Sequence, residues 1–161
     1  MAQPSGSVAT AVVATSAQRA WDLLTDVRAH ARWIPATRVE APARAAVGDP
    51  FVAVTGPTAR RGGRGLPDRM VVERLEPPGR PGAPDGVAAY RKTGPVLLGT
   101  ALLEVRPLGP TRCAVRWSED VHLRGLPRAL TAPLLRPVLG AMTRLALARA
   151  RAELEGHRPR G

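Results

Sequence analysis

The residues that could move protons or grip a ligand are few, and the clearest pattern around one of them is TRCAVRWSEDVHL, residues 111–123. Side chains alternate faces along a strand. Cys113, Val115, Trp117, Glu119, Val121 and Leu123 therefore share one face, while Arg112, Arg116, Ser118, Asp120 and His122 share the other. The first face is the apolar one, and Glu119 falls inside it. A buried carboxylate is costly unless it is paired. Three outcomes are open: Glu119 rises in pKa, as a general acid or base requires; it pairs with an arginine; or a bulge or strand end returns it to solvent.

A second candidate is Tyr90, the only tyrosine, in GVAAYRKT. Either Tyr90 faces inward with Ala88 and leaves Arg91 outside, or the reverse holds. Facing in, its phenol offers a polar contact to a ligand. An inward Arg69 or Arg91 would add a cation. Asp68 and Arg69 open a strand, where a charge is expected to be solvated. In the following strand Ala101, Leu103 and Val105 should line the interior, with Glu104 and Arg106 outside.

Other chemistries lack their parts. His30, His122 and His157 share no metal-ligand spacing, and Cys113 is the single cysteine, so no metal site is expected. His30 reads as a surface residue or as the edge of a cavity mouth. GPVLLGTA, residues 94–101, has phosphate-loop glycine spacing but lacks the lysine, and a strand should follow it. GGRGLPD lacks the third glycine of a dinucleotide fingerprint, and no G-x-S-x-G elbow occurs. No cofactor is expected.

These residues need elements to hold them. SVATAVVA, residues 7–14, reads as a first strand. Thr15, with Gln18 three residues on, suits a capping box for a helix that buries Ala17, Ala20, Trp21 and Leu24. Asp26 can cap a second short helix, which Pro35 ends. Strands then follow at 37–41, 50–58, 68–75, 86–93, 99–106 and 111–123, separated by Gly- and Pro-rich turns that argue for antiparallel pairing. The segment 60–67, with Arg60, Arg61 and Arg64, reads as a mobile loop. From Pro127 to Leu154 a helix carries Leu135, Val138, Leu139, Met142, Leu145 and Ala146 on one stripe, with Arg136, Arg144 and Arg151 opposite. Pro133 and Pro137 should kink or restart it. The fold class is α+β: a curved antiparallel sheet around a long C-terminal helix, with two short helices after the first strand. Residues 1–161 make one domain, with a core from about 7 to 155 and flexible tails at 1–6 and 156–161.

Composition limits the partners. The chain has 161 residues and is 44% hydrophobic, enough for a core, but only 3% aromatic. Its net charge is +11, and Lys92 is the only lysine. That charge suits an acidic partner, such as a carrier protein or an anionic membrane surface, or it is plain solvated arginine. Specific nucleic-acid binding is not expected, because base stacking needs exposed rings and few are present. One cysteine and a short, uncharged N-terminal apolar run point to a cytoplasmic protein without a signal peptide.

The element order, together with AWDLLTDVRAHARWIP, VGDPF, VVERLEPPGR and WSEDVHLRG, resembles the START-like superfamily, the polyketide cyclase/dehydrase and lipid-transport group. The likeness spans about residues 7–155. It implies a helix-grip fold with a deep apolar cavity between sheet and last helix. It also implies that Trp33 lies near the cavity mouth, the alternative being plain packing against the C-terminal helix, while Trp21 belongs to the core. The expected function is binding of a hydrophobic small molecule, a lipid, isoprenoid or polyketide, with Trp33, Trp117, Glu119, Tyr90, Leu103 and Met142 as contacts. The alternative is a polyketide aromatase/cyclase that promotes aldol closure and dehydration, with Glu119 and Tyr90 as catalytic candidates.

Overall fold

The computed structural model describes residues 6–156. In chain order it contains β1 (Ser7–Val13), α1 (Ala17–Leu24), a 3₁₀ turn (Val27–Ala29), α2 (His30–Trp33), β2 (Thr37–Glu40) and β3 (Pro50–Thr55). A second 3₁₀ turn (Ala59–Arg61), β4 (Leu66–Glu76), β5 (Gly86–Pro95), β6 (Leu97–Gly109), β7 (Arg112–Leu123) and α3 (Arg128–Gly156) complete it. All seven strands join one antiparallel sheet in the order β1-β7-β6-β5-β4-β3-β2. The sheet curls around α3 as a half-barrel, the helix-grip arrangement. Register shifts at Arg69/Met70 and Val72/Arg74 interrupt the β4–β5 ladder, and such bulges bend and twist a strand.

The strands form where Gly and Pro punctuate β-prone runs, and the register then fixes who meets whom. Across the concave face one row reads Val72, Tyr90, Ala101, Glu119, Ser7, and the next reads Phe51, Met70, Lys92, Gly99, Val121. Gly99 is required: its φ is +134°, and a Cβ there would stand 2.0 Å from the Asp120 carbonyl oxygen. Glycine at 86 admits α1, since a Cβ would come within 2.7 Å of the Trp21 ring.

Several local expectations shift. Ser16, not Thr15, caps α1; its hydroxyl accepts from the Arg19 amide at 3.2 Å. Asp26 does cap the following turn, accepting from the Arg28 amide. Segment 60–67 holds a 3₁₀ turn and the start of β4, and Arg60 donates to the Ala31 and Ile34 carbonyls at 2.7 and 3.2 Å. Of the expected tails, Gly6 and Gly156 belong to the described body, while 1–5 and 157–161, with His157, lie outside the described residues.

The largest correction concerns α3. The buried side is Leu139, Thr143, Ala146, Leu147, Ala150 and Leu154, whereas Val138 is 67% exposed and Leu145 39%. The helix has apolar residues on both sides, so periodicity alone placed the buried stripe about a quarter-turn away. Pro133 and Pro137 lie within one continuous helix. No helix among the described residues is long and apolar enough to cross a membrane.

Candidate functional site

A cavity of about 250 Å³ lies between the concave sheet face and the first half of α3. Leu102, Leu103, Trp117, Leu135, Leu139 and Met142 supply much of an apolar wall. Leu66 and Val138 line it while remaining 45% and 67% exposed, so they mark its mouth. A small residue on β6 leaves the room: Ala101 sits beside Tyr90 where a larger side chain would fill the space.

Into this apolar space the sheet projects Asp68, Tyr90, Lys92 and Glu119, and His30 enters from α2. The Lys92 ammonium forms a short ion pair with Asp68 Oδ2. It lies 3.8 Å from Glu119 Oε2 and 3.7 Å from the Met70 sulfur. Lys92 is 5% exposed and Glu119 4%. A charge so enclosed persists only with partners. Burial alone would lower the Lys92 pKa, yet the nearby Glu119 and Asp68 carboxylates reverse this and hold it above its ordinary value. Glu119 moves up as well: burial favours its neutral acid and outweighs both the Lys92 charge and a hydrogen bond from the Trp117 side chain.

Among the described residues, three polar atoms of this group have no hydrogen-bond partner: Glu119 Oε2, the Tyr90 hydroxyl and Asp68 Oδ1. Buried polar atoms are rarely left so. Burial lifts the Tyr90 phenol well above its usual pKa, so it stays protonated and can donate. The Tyr90 ring is held edge-on to Phe51, with centroids 5.7 Å apart. Together these groups offer an acid that favours its proton, a phenol donor, a caged cation and a free carboxylate oxygen, all on one wall.

His30 adds a neutral imidazole. Its Nε2 lies 2.8 Å from the Leu24 carbonyl oxygen, which can only accept, so Nε2 carries the proton and Nδ1 does not. Desolvation lowers its pKa. The ring is wedged between Trp33 and Trp117, at centroid distances of 5.4 and 5.1 Å. His30 is therefore a cavity residue rather than a surface one.

Trp117, Glu119, Tyr90, Leu103 and Met142 thus come together around one space, as does the inward row of Ala101 and Leu103. Trp33 does not join them. It is 1% exposed, packs behind His30, and donates Nε1–H to Glu153 Oε2 at 2.8 Å. Arg32 binds the same carboxylate at 2.6 Å, and Arg149 donates to the Trp33 carbonyl at 3.0 Å. The mouth position implied for Trp33 is corrected: this ring ties α2 to the second half of α3.

Two further expectations change. The inward cation is neither Arg69 nor Arg91: Arg69 is exposed, and Arg91 pairs with Glu73 at 2.6 Å on the outer face. Asp68 is not solvated, since the β4–β5 pairing carries it to Lys92. Lys92 itself is the residue that sequence reasoning missed. The signal was available: Ala88, Tyr90 and Lys92 share a face by the period of two, so an inward Tyr90 brings the lysine with it. Among the described residues no group of three or more His, Cys, Asp or Glu could hold a metal.

Comparison with known proteins places this geometry. The family described as polyketide cyclase / dehydrase and lipid transport matches residues 6–155. No curated protein matches the chain. Among solved structures, the Zhui aromatase/cyclase of a Streptomyces species is 18% identical, with a TM-score of 0.62 over 94% of this chain and 93% of that one. A START superfamily protein from Mycobacterium smegmatis is 20% identical, with a TM-score of 0.64 over 94% and 97%. A norcoclaurine synthase point mutant from Thalictrum flavum, in complex with a transition-state analogue, is 16% identical, with a TM-score of 0.64 over 91% of each chain. At these identities the likeness is one of fold.

Proposed function

We propose that this chain, which belongs to the polyketide cyclase / dehydrase and lipid transport family, binds one hydrophobic small molecule beneath α3 and fixes the polar end of that molecule at the Tyr90–Lys92–Glu119 wall. The observation that carries this reading is the set of three buried oxygens without partners among the described residues, on Asp68, Tyr90 and Glu119, each of which lines an otherwise apolar cavity. Pockets for small apolar ligands have this composition, with a few placed polar groups giving orientation. Trp117, Leu103 and Met142 supply apolar contact. Tyr90 donates to a carbonyl or hydroxyl oxygen, Glu119 does the same whenever it holds its proton, and Asp68 Oδ1 accepts from a hydroxyl. Trp33 acts behind His30 and makes no ligand contact.

Native mass spectrometry on protein purified from its host tests this. Retained small-molecule mass, lost on denaturation and lost in Trp117→Arg, supports it. If that variant stays folded and keeps the ligand, the cavity is not where the ligand sits.

A second reading, cyclisation of a polyketide chain, is favoured by one specific observation: an acid that favours its proton and a neutral imidazole line the same cavity. Aldol closure removes a proton from the carbon beside one carbonyl and delivers a proton to the oxygen of the other. His30 has the unprotonated nitrogen for the first transfer, and Glu119 or Tyr90 has the proton for the second. Glu119→Gln separates the two readings: a binding protein keeps its ligand and has no turnover to lose, whereas a cyclase keeps binding and loses product formation.

A further inference from the structure

The second apolar side of α3 has no partner among the described residues. Leu126, in the turn before the helix, is 55% exposed; Leu130, Leu134 and Val138 follow at intervals of four residues and are 65%, 74% and 67% exposed. Residues four apart lie on one helix face, so the last three form a ridge, which Leu145 extends at 39% exposure. At Val138 the ridge meets the cavity mouth. Along the chain here positive charge is in excess, although Arg128 pairs with Asp120, Arg151 with Glu155, and Arg149 donates to the Trp33 carbonyl. Residues 121–152 hold six arginines (Arg124, Arg128, Arg136, Arg144, Arg149 and Arg151) and no Asp or Glu. Counting Asp120, Glu153 and Glu155 as well, residues 120–156 carry six positive against three negative charges, a net of +3.

We propose that this ridge is a docking surface for an anionic phospholipid membrane, with α3 lying in the plane of the headgroups and the cavity mouth turned toward the acyl chains. Large aliphatic residues on an exposed helix face, with arginines along the same helix, are the pattern of an interfacial helix. Arginine is attracted to the negative surface of such a leaflet. Single-stranded nucleic acid fits poorly, because all five aromatic rings of Trp, Tyr and Phe are buried and none is left to stack on a base. A second copy of the chain would bring two +11 molecules together. An acidic protein would match the charge, but the ridge is convex and aliphatic and gives a polypeptide neither groove nor hydrogen-bonding partners. A fluid lipid surface needs neither.

The proposal adds a partner to the ligand-binding reading and rests on that reading only for what docking would serve. The test is co-sedimentation of the full chain with phosphatidylcholine vesicles, with and without phosphatidylglycerol, at low and high salt. Binding to the anionic vesicles, weakened by salt and reduced by roughly tenfold or more in Leu130→Glu/Leu134→Glu, is the expected result. Val12→Glu, at a 47% exposed apolar residue on β1, should bind like the parent. Neither Leu130 nor Leu134 lines the cavity, so native mass spectrometry of the double variant checks ligand retention separately. Absence of binding to anionic vesicles, equal binding by the double variant, or a ridge-dependent dimer in solution would each overturn the proposal.

Discussion

The two halves of α3 are set against the same sheet and do opposite things. The second half is sealed: Ala146, Leu147, Ala150 and Leu154 are at most 4% exposed, packed with Val13, Leu24, Val105 and Val115. It is also wired to α2 through Glu153, Trp33, Arg32 and Arg149. The first half spans a void, with Leu135, Val138 and Met142 facing empty space and an ion-paired lysine. Tight packing is concentrated at one end, and the buried polar groups sit at the other. The division places the costly groups, a buried cation and carboxylates that are only partly satisfied, beside a core that can bear them.

The largest expected effect would break this division from the chemical end. Lys92→Met leaves Asp68 and Glu119 enclosed without a cation, and should cost about 3–5 kcal/mol at neutral pH. Denaturant melts measure it. The loss should shrink at low pH, where Glu119, its pKa raised by burial, takes up its proton. Next comes a paired test of the two halves. Leu147→Ala should cost about 3 kcal/mol, because its site is closed on all sides. Met142→Ala should cost less than about 1 kcal/mol, because its neighbour is already a cavity, while changing which ligand mass is retained. Equal losses at the two positions would erase the distinction.

The smallest effect sharpens it through pH. Burial raises the Glu119 pKa in the folded protein above its ordinary 4.5. The folded state therefore binds that proton more tightly than the unfolded chain does, and its stability falls as pH rises from that value through the folded pKa. Glu119→Gln has no proton to lose. Its stability relative to the parent should climb between pH 4 and pH 8. A flat difference would mean that Lys92 fully offsets the burial of the carboxylate.

The sheet end was legible because Gly and Pro mark its turns and period two marks its faces; Trp117 and Leu103 followed from that, and Glu119 was put on the same apolar face with its burial left open. Asp68 was not legible. Its partner is 24 residues away, and only the β4–β5 register with its bulges brings them together. The buried stripe of α3 was misplaced because a helix apolar on two sides carries no single phase. Trp33 was drawn to the mouth by family likeness, although its indole N–H needed an acceptor and Glu153 on α3 provides one.

The row Tyr90–Ala101–Glu119 has a consequence for how such a protein can diversify. Its polar members sit on neighbouring ladders, so their spacing is inherited from backbone pairing about 4.8 Å per strand, and a one-residue slip in any strand would turn its contribution outward. Insertions are consequently confined to hairpin tips. The α3 wall is under no such constraint: exchanging Leu135, Leu139 or Met142 reshapes the cavity without moving a single proton-bearing group. On the proposed function, ligand range drifts on the helix while the polar set stays fixed in the sheet.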